Sequence, residues 1–190
     1  MCEYLDKLKI VANSFCIMDV KRLSDDLLNI TKFKVGSGSH SNLHHYGTGG
    51  LIRHTYEVVN LCIVNTRALN LDSVIDPIEL FFAALYHDAG KIYDYEENDK
   101  GEWVSTEHKR IIHHISRSGI MWSKQVELYP SLNKLYHDKV LHAILAHHGR
   151  REWGSPVAPK SRVAWMLHLC DGISARMDDC ERIDLVKFDK

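Results

Sequence analysis

Separated stretches of this chain place histidine or aspartate where a helix facing a core should carry an apolar residue. His54 sits near the start of one apolar-striped segment, and His87 and Asp88 close the run LFFAALYHDA. His113 and His114 lie inside RIIHHIS, His147 and His148 close AILAHH, and Asp171 interrupts WMLHLCDGIS. A single buried histidine is usually a satisfied core residue. Burying five or six such groups without partners would cost several kcal/mol each. A fold that accepts this sequence must bring them together, and metal ions remove the cost by bonding neutral imidazoles and ionised carboxylates. Thirteen of the 190 residues are histidine, the commonest side-chain metal ligand.

The segments carrying these residues have helical periodicity. Ile52, Tyr56, Val59 and Ile63 step by four, three and four, one stripe of an amphipathic helix over 51–69. DPIE at 76–79 is a start signal, with Asp76 as cap, Pro77 at the first helical position and Glu79 at the capping-box position. That helix is expected to stop near Gly90. Helices are also expected over 3–20, 22–31, from Ser105 or Thr106 to Leu128, from Asn133 to Gly149 after an interruption at Pro130, and over 161–179. Residues 34–50, with five glycines, and 150–160, with two prolines, are loops. The charged stretch 92–104 turns around Asp99-Lys100-Gly101, the pattern of a short hairpin. The fold class is all-α: a compact helical bundle with a metal site in a central cleft. The chain is expected to form a single domain over 1–190.

With 45% apolar residues the chain can bury a real core. No apolar run approaches the ~20 residues of a membrane span, and the charged start MCEYLDKLKI has no signal-peptide pattern. The five cysteines are scattered without a C-x-x-C pair, which implies reduced thiols and a cytoplasmic location. A net charge of −1 argues against a polyelectrolyte binder. Between Lys139 and Arg176, however, basic residues outnumber acidic ones by six to two, as a phosphate-handling site needs.

A donor set of histidine and aspartate without thiolate suits Mn²⁺, Fe²⁺, Co²⁺, Ni²⁺ or Zn²⁺ and disfavours Ca²⁺. So many protein ligands exceed what one catalytic ion with open positions takes. Two divalent ions sharing one carboxylate fit better, with Asp88 as the bridge. Such a pair, ~3.5–4 Å apart, can activate water and clamp a phosphoryl group.

Taken in order, His54, His87-Asp88, His114, His147 and Asp171 resemble the HD-domain metal-dependent phosphohydrolase superfamily. The segments SNLHHYGTGGLIRHTYEVVNLC, ALYHDAGKIYDY, EHKRIIHHISRSG and LHAILAHHGRREWGSPVAPKSRVAWMLHLCDGISARMD are similar to the catalytic domain of YhaM-type 3′–5′ exoribonucleases. The resemblance covers about residues 40–179. It implies a metal set of His54, His87, Asp88, His114, His147 and Asp171, with manganese the favoured ion. Helical neighbours diverge by about 100°, so only one of His113 and His114 should face the site, and the resemblance favours His114. His147 is taken as ligand and His148 as a substrate or third-ion contact. In the superfamily the lysine at the position of Lys91 lies beside the phosphate. Asp88, Lys91 and His148 are thus the candidate catalytic residues. Arg150, Arg151 and Arg176 match phosphate oxygens, and Trp153 a base. His40, His44 and His45 are left out of the metal set, and His108, His137, His142 and His168 are read as ordinary.

The implied activity is 3′–5′ exonucleolytic release of nucleotides from single-stranded RNA or DNA. Those exonucleases carry an N-terminal OB-like binding region, whereas a helical extension of some 40 residues precedes the motif block here. That favours one alternative, a phosphohydrolase of small nucleotides (nucleoside mono- or triphosphates, or cyclic dinucleotides); another alternative, a module that binds a nucleotide or RNA end without turnover, is opposed by the complete ligand set. The expected partner is a nucleic-acid 3′ end or a small nucleotide. No membrane is expected, and homo-oligomerisation is left open.

Overall fold

A computed structural model describes residues 2–40 and 43–188, with side chains for 3–40 and 43–180. The helices in chain order are α1 (Cys2–Ser14), α2 (Met18–Leu28), α3 (Thr31–Val35), α4 (Gly50–Ala68), α5 (Pro77–Tyr86), α6 (Lys91–Asp94), α7 (Glu107–Ile111), α8 (His114–Val126), α9 (Pro130–Ala146) and α10 (Arg162–Phe188). One antiparallel hairpin, β1 (Tyr95–Glu97) and β2 (Trp103–Ser105), forms in the charged stretch, pairing Glu96 with Val104. The fold is all-α, and no described helix is long and apolar enough to cross a membrane.

At the centre lies α5. Leu80 through Tyr86 are all buried, as a helix that is apolar on every side requires. Asp76 caps it, its Oδ1 accepting from the N–H groups of Ile78 (2.9 Å) and Glu79 (3.2 Å). Around it pack α4, α9 and α10, with α8 against α9. Leu8, Leu23 and Phe33 of α1–α3 join Leu51, Phe82, Ile144 and Leu167 in one apolar cluster. The stripe of α4 meets this cluster through Ile52 and Val59, while the partly buried Tyr56 and Ile63 pack at its margin.

Several expected helix boundaries differ, two of them for reasons visible in the packing. The helix foreseen over 3–20 ends at Ser14, because Cys16 takes a left-handed conformation (φ 55°) and Phe15 turns onto Phe81, 5.3 Å between ring centroids. The helix foreseen from 105 or 106 to 128 is broken between α7 and α8 by His113 at φ 68°. Buried Asp94 causes that break: its Oδ2 accepts both the backbone N–H of His114 (3.0 Å) and the His114 Nδ1–H (3.1 Å). Elsewhere, Pro130 begins α9 at the first helical position, and α10 extends beyond 179.

Candidate metal centre

Each candidate ligand stands at a point where a helix begins, ends or crosses α5. His54 lies on the second turn of α4, His87 caps α5, and Asp88 follows it in the tight turn to α6. His114 is the first residue of α8, His147 caps α9 with His148 next, and Asp171 lies inside α10. Gly90 allows this convergence. A Cβ there would meet the His114 carbonyl oxygen and come within 2.9 Å of the Ser118 nitrogen, so only glycine lets α8 sit on the His87-Asp88 turn. The Gly90 N–H donates to Ser118 Oγ at 2.8 Å.

Asp88 is buried in the middle with its two oxygens facing different groups. Its Oδ2 lies 3.3 Å from His54 Nε2 and 3.4 Å from His87 Nε2. Asp171 Oδ1 closes that side, 3.0 Å from His54 Nε2 and 3.7 Å from His87 Nε2. The other oxygen of Asp88, Oδ1, lies 3.4 Å from His114 Nε2 and 3.6 Å from His147 Nε2. The ligating atoms of His114, His147 and His148 come within 4.8 Å of one another, as do those of His54, His87, Asp88 and Asp171. Two donor groups therefore meet on opposite oxygens of one carboxylate.

The far nitrogen of every histidine in these groups is already engaged. The Nδ1–H groups of His87, His147 and His148 donate to the carbonyls of Ala84 (2.8 Å), Ile144 (2.6 Å) and Trp153 (2.7 Å). His114 Nδ1–H donates to Asp94. His54 Nδ1–H donates to Ser174 Oγ (3.0 Å), whose own hydroxyl donates to Glu57 Oε2 (2.8 Å). Carbonyl and carboxylate oxygens only accept, so each ring carries a proton on Nδ1 and leaves Nε2 as the atom that can ligate, those of His54, His87, His114 and His147 facing Asp88. Asp88 Oδ1, His114 Nε2 and His147 Nε2 are buried yet have no hydrogen-bond partner among the described residues. Lone pairs aimed at one another are costly unless a cation lies between them. The donors present thus fit divalent metal.

The electrostatics agree. Burial depresses His114 to about 3 and His148 to about 4, so both are neutral ligands at pH 7. Burial alone would also lower His87, but the Asp88 and Asp171 carboxylates reverse this and push it up to about 10. The negative field that holds that proton also favours a divalent cation, which displaces it on binding. Lys91 is buried with Nζ 2.7 Å from Asp88 Oδ2. Burial would lower its ammonium, and Asp88 more than compensates, holding it above the ordinary lysine value.

A cavity of about 330 Å³ opens over this centre, lined by Asp88, Lys91, His148, Trp153, Asp171 and Arg176 among others. Trp153 is 56% exposed and Arg176 is exposed. Arg150 stacks its guanidinium on Trp153, 4.9 Å from the ring centroid, and Arg151 is exposed on the same 3-10 turn, Arg151–Trp153; neither lines the cavity. His113 lies beside His114, 4.1 Å between centroids, but in the separate group with Asp94.

His148, expected as a substrate or third-ion contact, stands with His114 and His147 and also lines the cavity. Sequence reasoning missed several residues. His44 and His168, set aside or read as ordinary, line the cavity. His45 is buried with Nε2 2.8 Å from Glu57 Oε2, and His108 Nδ1 is 2.8 Å from Asp94 Oδ1. Ser174, Glu57 and Asp94, which orient ligands from behind, carry no motif.

A family model for the HD domain matches residues 51–182. The chain belongs to the HD-domain family. It is also 30% identical over 142 residues to the 3′-5′ exoribonuclease YhaM of Shouchella clausii (strain KSM-K16), covering 73% of this chain and 42% of that protein. Against YhaM of Bacillus subtilis (strain 168) it is 30% identical over 145 residues, covering 73% and 42%, and against that of Oceanobacillus iheyensis 31% over 141, covering 71% and 41%. This HD domain thus spans less than half the length of the curated relatives it matches. No solved structure matches it.

Proposed function

We propose that this HD domain is a two-metal phosphodiesterase that releases nucleotides from the 3′ end of single-stranded RNA or DNA in the cytoplasm, with manganese its preferred ion. One observation carries the reading: the two donor groups divide between the two oxygens of Asp88. The first is His54, His87, Asp88 and Asp171; the second is Asp88, His114 and His147, with His148 as a further ligand. The pair, when bound, supplies water activation and neutralisation of phosphoryl charge.

The chain's own groups do the rest. Buried Lys91 holds a positive charge beside Asp88, where it attracts a phosphate oxygen at the cavity floor. Arg176 at the rim offers a second cationic contact, with Arg150 and Arg151 just outside. Trp153 presents an indole face to a terminal base. Cys16, Cys62, Cys170 and Cys180 stand as free thiols, in keeping with a reducing compartment. Similarity to proteins named 3′-5′ exoribonucleases supports the substrate class.

A second reading, hydrolysis of a free nucleotide, is favoured by the cavity, whose volume suits one nucleotide. The manganese-loaded protein incubated with 5′-labelled oligonucleotides and a nucleotide panel separates them. A ladder shortening stepwise from the 3′ end is expected. Phosphate or nucleoside release from monomers alone would favour the second reading, and retention without products would overturn both.

A further inference from the structure

From the metal cleft a row of rings continues along α10. Trp153 and His168 lie 6.3 Å apart by centroid with planes 35° apart, and His168 and Trp165 lie 5.9 Å apart edge to face at 64°, so the row offers separate faces rather than one continuous stack. The outer two rings face solvent, Trp153 at 56% and Trp165 at 51% exposure. The middle ring is fixed: His168 Nδ1–H donates to the His147 carbonyl at 2.7 Å, and its imidazole lies over Gly149, where a Cβ would come within 2.5 Å of it. The main chain of Trp153 is tethered as well, since its carbonyl accepts from His148. The His168 ring and the Trp153 backbone are thus both held by metal-centre histidines. Trp165 stands six residues before Asp171 on the same helix, about 9 Å along its axis.

Basic side chains stand at every ring of the row and outnumber acidic ones where Trp165 and Trp153 face solvent. Arg150 lies over Trp153, Lys91 and Arg176 line the cleft with Trp153 and His168, and Lys139, Lys160 and Arg162 share a hollow with Trp165; the acidic groups there are Asp76 and Glu79, with Glu152 beside Trp153 in sequence and Asp179 paired with Arg176 at 3.4 Å. Large exposed apolar rings beside arginines cost hydration with nothing folded over them, and nucleobases supply flat partners for both. Aromatic faces combined with a positively charged path are how single strands are bound without sequence preference.

We infer that Trp153, His168 and Trp165 form a base-stacking track that holds the nucleotides upstream of the scissile 3′ end, so that the ligand of this surface is single-stranded nucleic acid at least three nucleotides long. This rests on reading the cleft as a nucleic-acid-end phosphodiesterase. The alternative occupant is a second copy of the chain, seated on the neighbouring Leu169 and Ile173.

The test is equilibrium binding of the manganese-loaded full chain to a fluorescein-labelled oligouridylate octamer with phosphorothioate linkages, and to the matching dinucleotide. Loss of one stacked base predicts that Trp165→Ala weakens octamer binding about fivefold or more, with less than a twofold change for the dinucleotide. Trp165→Phe, which keeps a π-face, should fall between. Unchanged octamer affinity in Trp165→Ala would overturn the track. So would equal losses for octamer and dinucleotide, a Trp165→Phe as weak as the alanine variant, or altered sedimentation with unaltered octamer affinity. If the parent binds the octamer through Trp165 but never shortens an unmodified strand, the proposed reaction fails while the track stands.

Discussion

Replacing Ser174 with alanine separates a ligand-orienting role from simple packing. Its hydroxyl accepts the His54 Nδ1–H and donates its own hydrogen bond to Glu57, which fixes the tautomer that aims His54 Nε2 at Asp88 and Asp171. In Ser174→Ala the Nδ1–H is buried without an acceptor, a cost of about 1–3 kcal/mol. The imidazole can relieve it by moving its proton to Nε2, but it then no longer ligates. Loss of a partner behind a metal ligand costs typically 10–100-fold in metal affinity, or ~1.4–2.7 kcal/mol. The second donor group does not include His54, so only one of two binding steps should weaken. Competition against a fluorescent chelator at neutral pH measures both steps. Two equally weakened steps, or none weakened, would refute the reasoning.

Three further outcomes follow from the same geometry. Alanine at His148 should weaken the other binding step, because its Nε2 stands with those of His114 and His147; titration curves matching the parent's would remove it from the site. Burial alone would raise the Glu57 carboxyl, but hydrogen bonds from His45 and Ser174 and the Arg53 contact bring it from 4.5 down to about 2. A depressed folded pKa stabilises fully above 4.5 and loses that contribution as pH falls through 2. Glu57→Gln should therefore be less stable than the parent at pH 7 by on the order of 2 kcal/mol, after discounting for partial exposure. Chemical denaturation should show the gap closing toward pH 2, and a gap independent of pH contradicts the account. Gly149→Ala, at φ 82° and with its Cβ against His168, should lose about 1–3 kcal/mol. Calorimetry should show Tm falling by roughly 2–4 °C per kcal/mol, and an unchanged Tm would mean the ring is not clamped there.

Much of the architecture was legible because it rests on local signals. The Asp76-Pro77 start and the α4 stripe are written in a few consecutive residues. The convergence of His54, His87, Asp88, His114, His147 and Asp171 was legible because ligand types at apolar positions have few ways to be buried. The α7–α8 break was not. Its helical pattern runs unbroken through His113, and the force that breaks it comes from Asp94, twenty residues upstream of His114. Ser174 and Glu57 stayed hidden for a related reason: a residue that bonds the back of a ligand has no periodicity of its own. His148 was expected at the site as a substrate or third-ion contact because the helix ends there, and the turn after His147 does bring both rings to one side.

Crystals soaked in manganese and measured at an anomalous wavelength test the central claim most directly. Two peaks are predicted ~3.5–4 Å apart, one against each oxygen of Asp88, the first also touching His54, His87 and Asp171 and the second His114 and His147. A single peak, or two of which only one contacts Asp88, would contradict it.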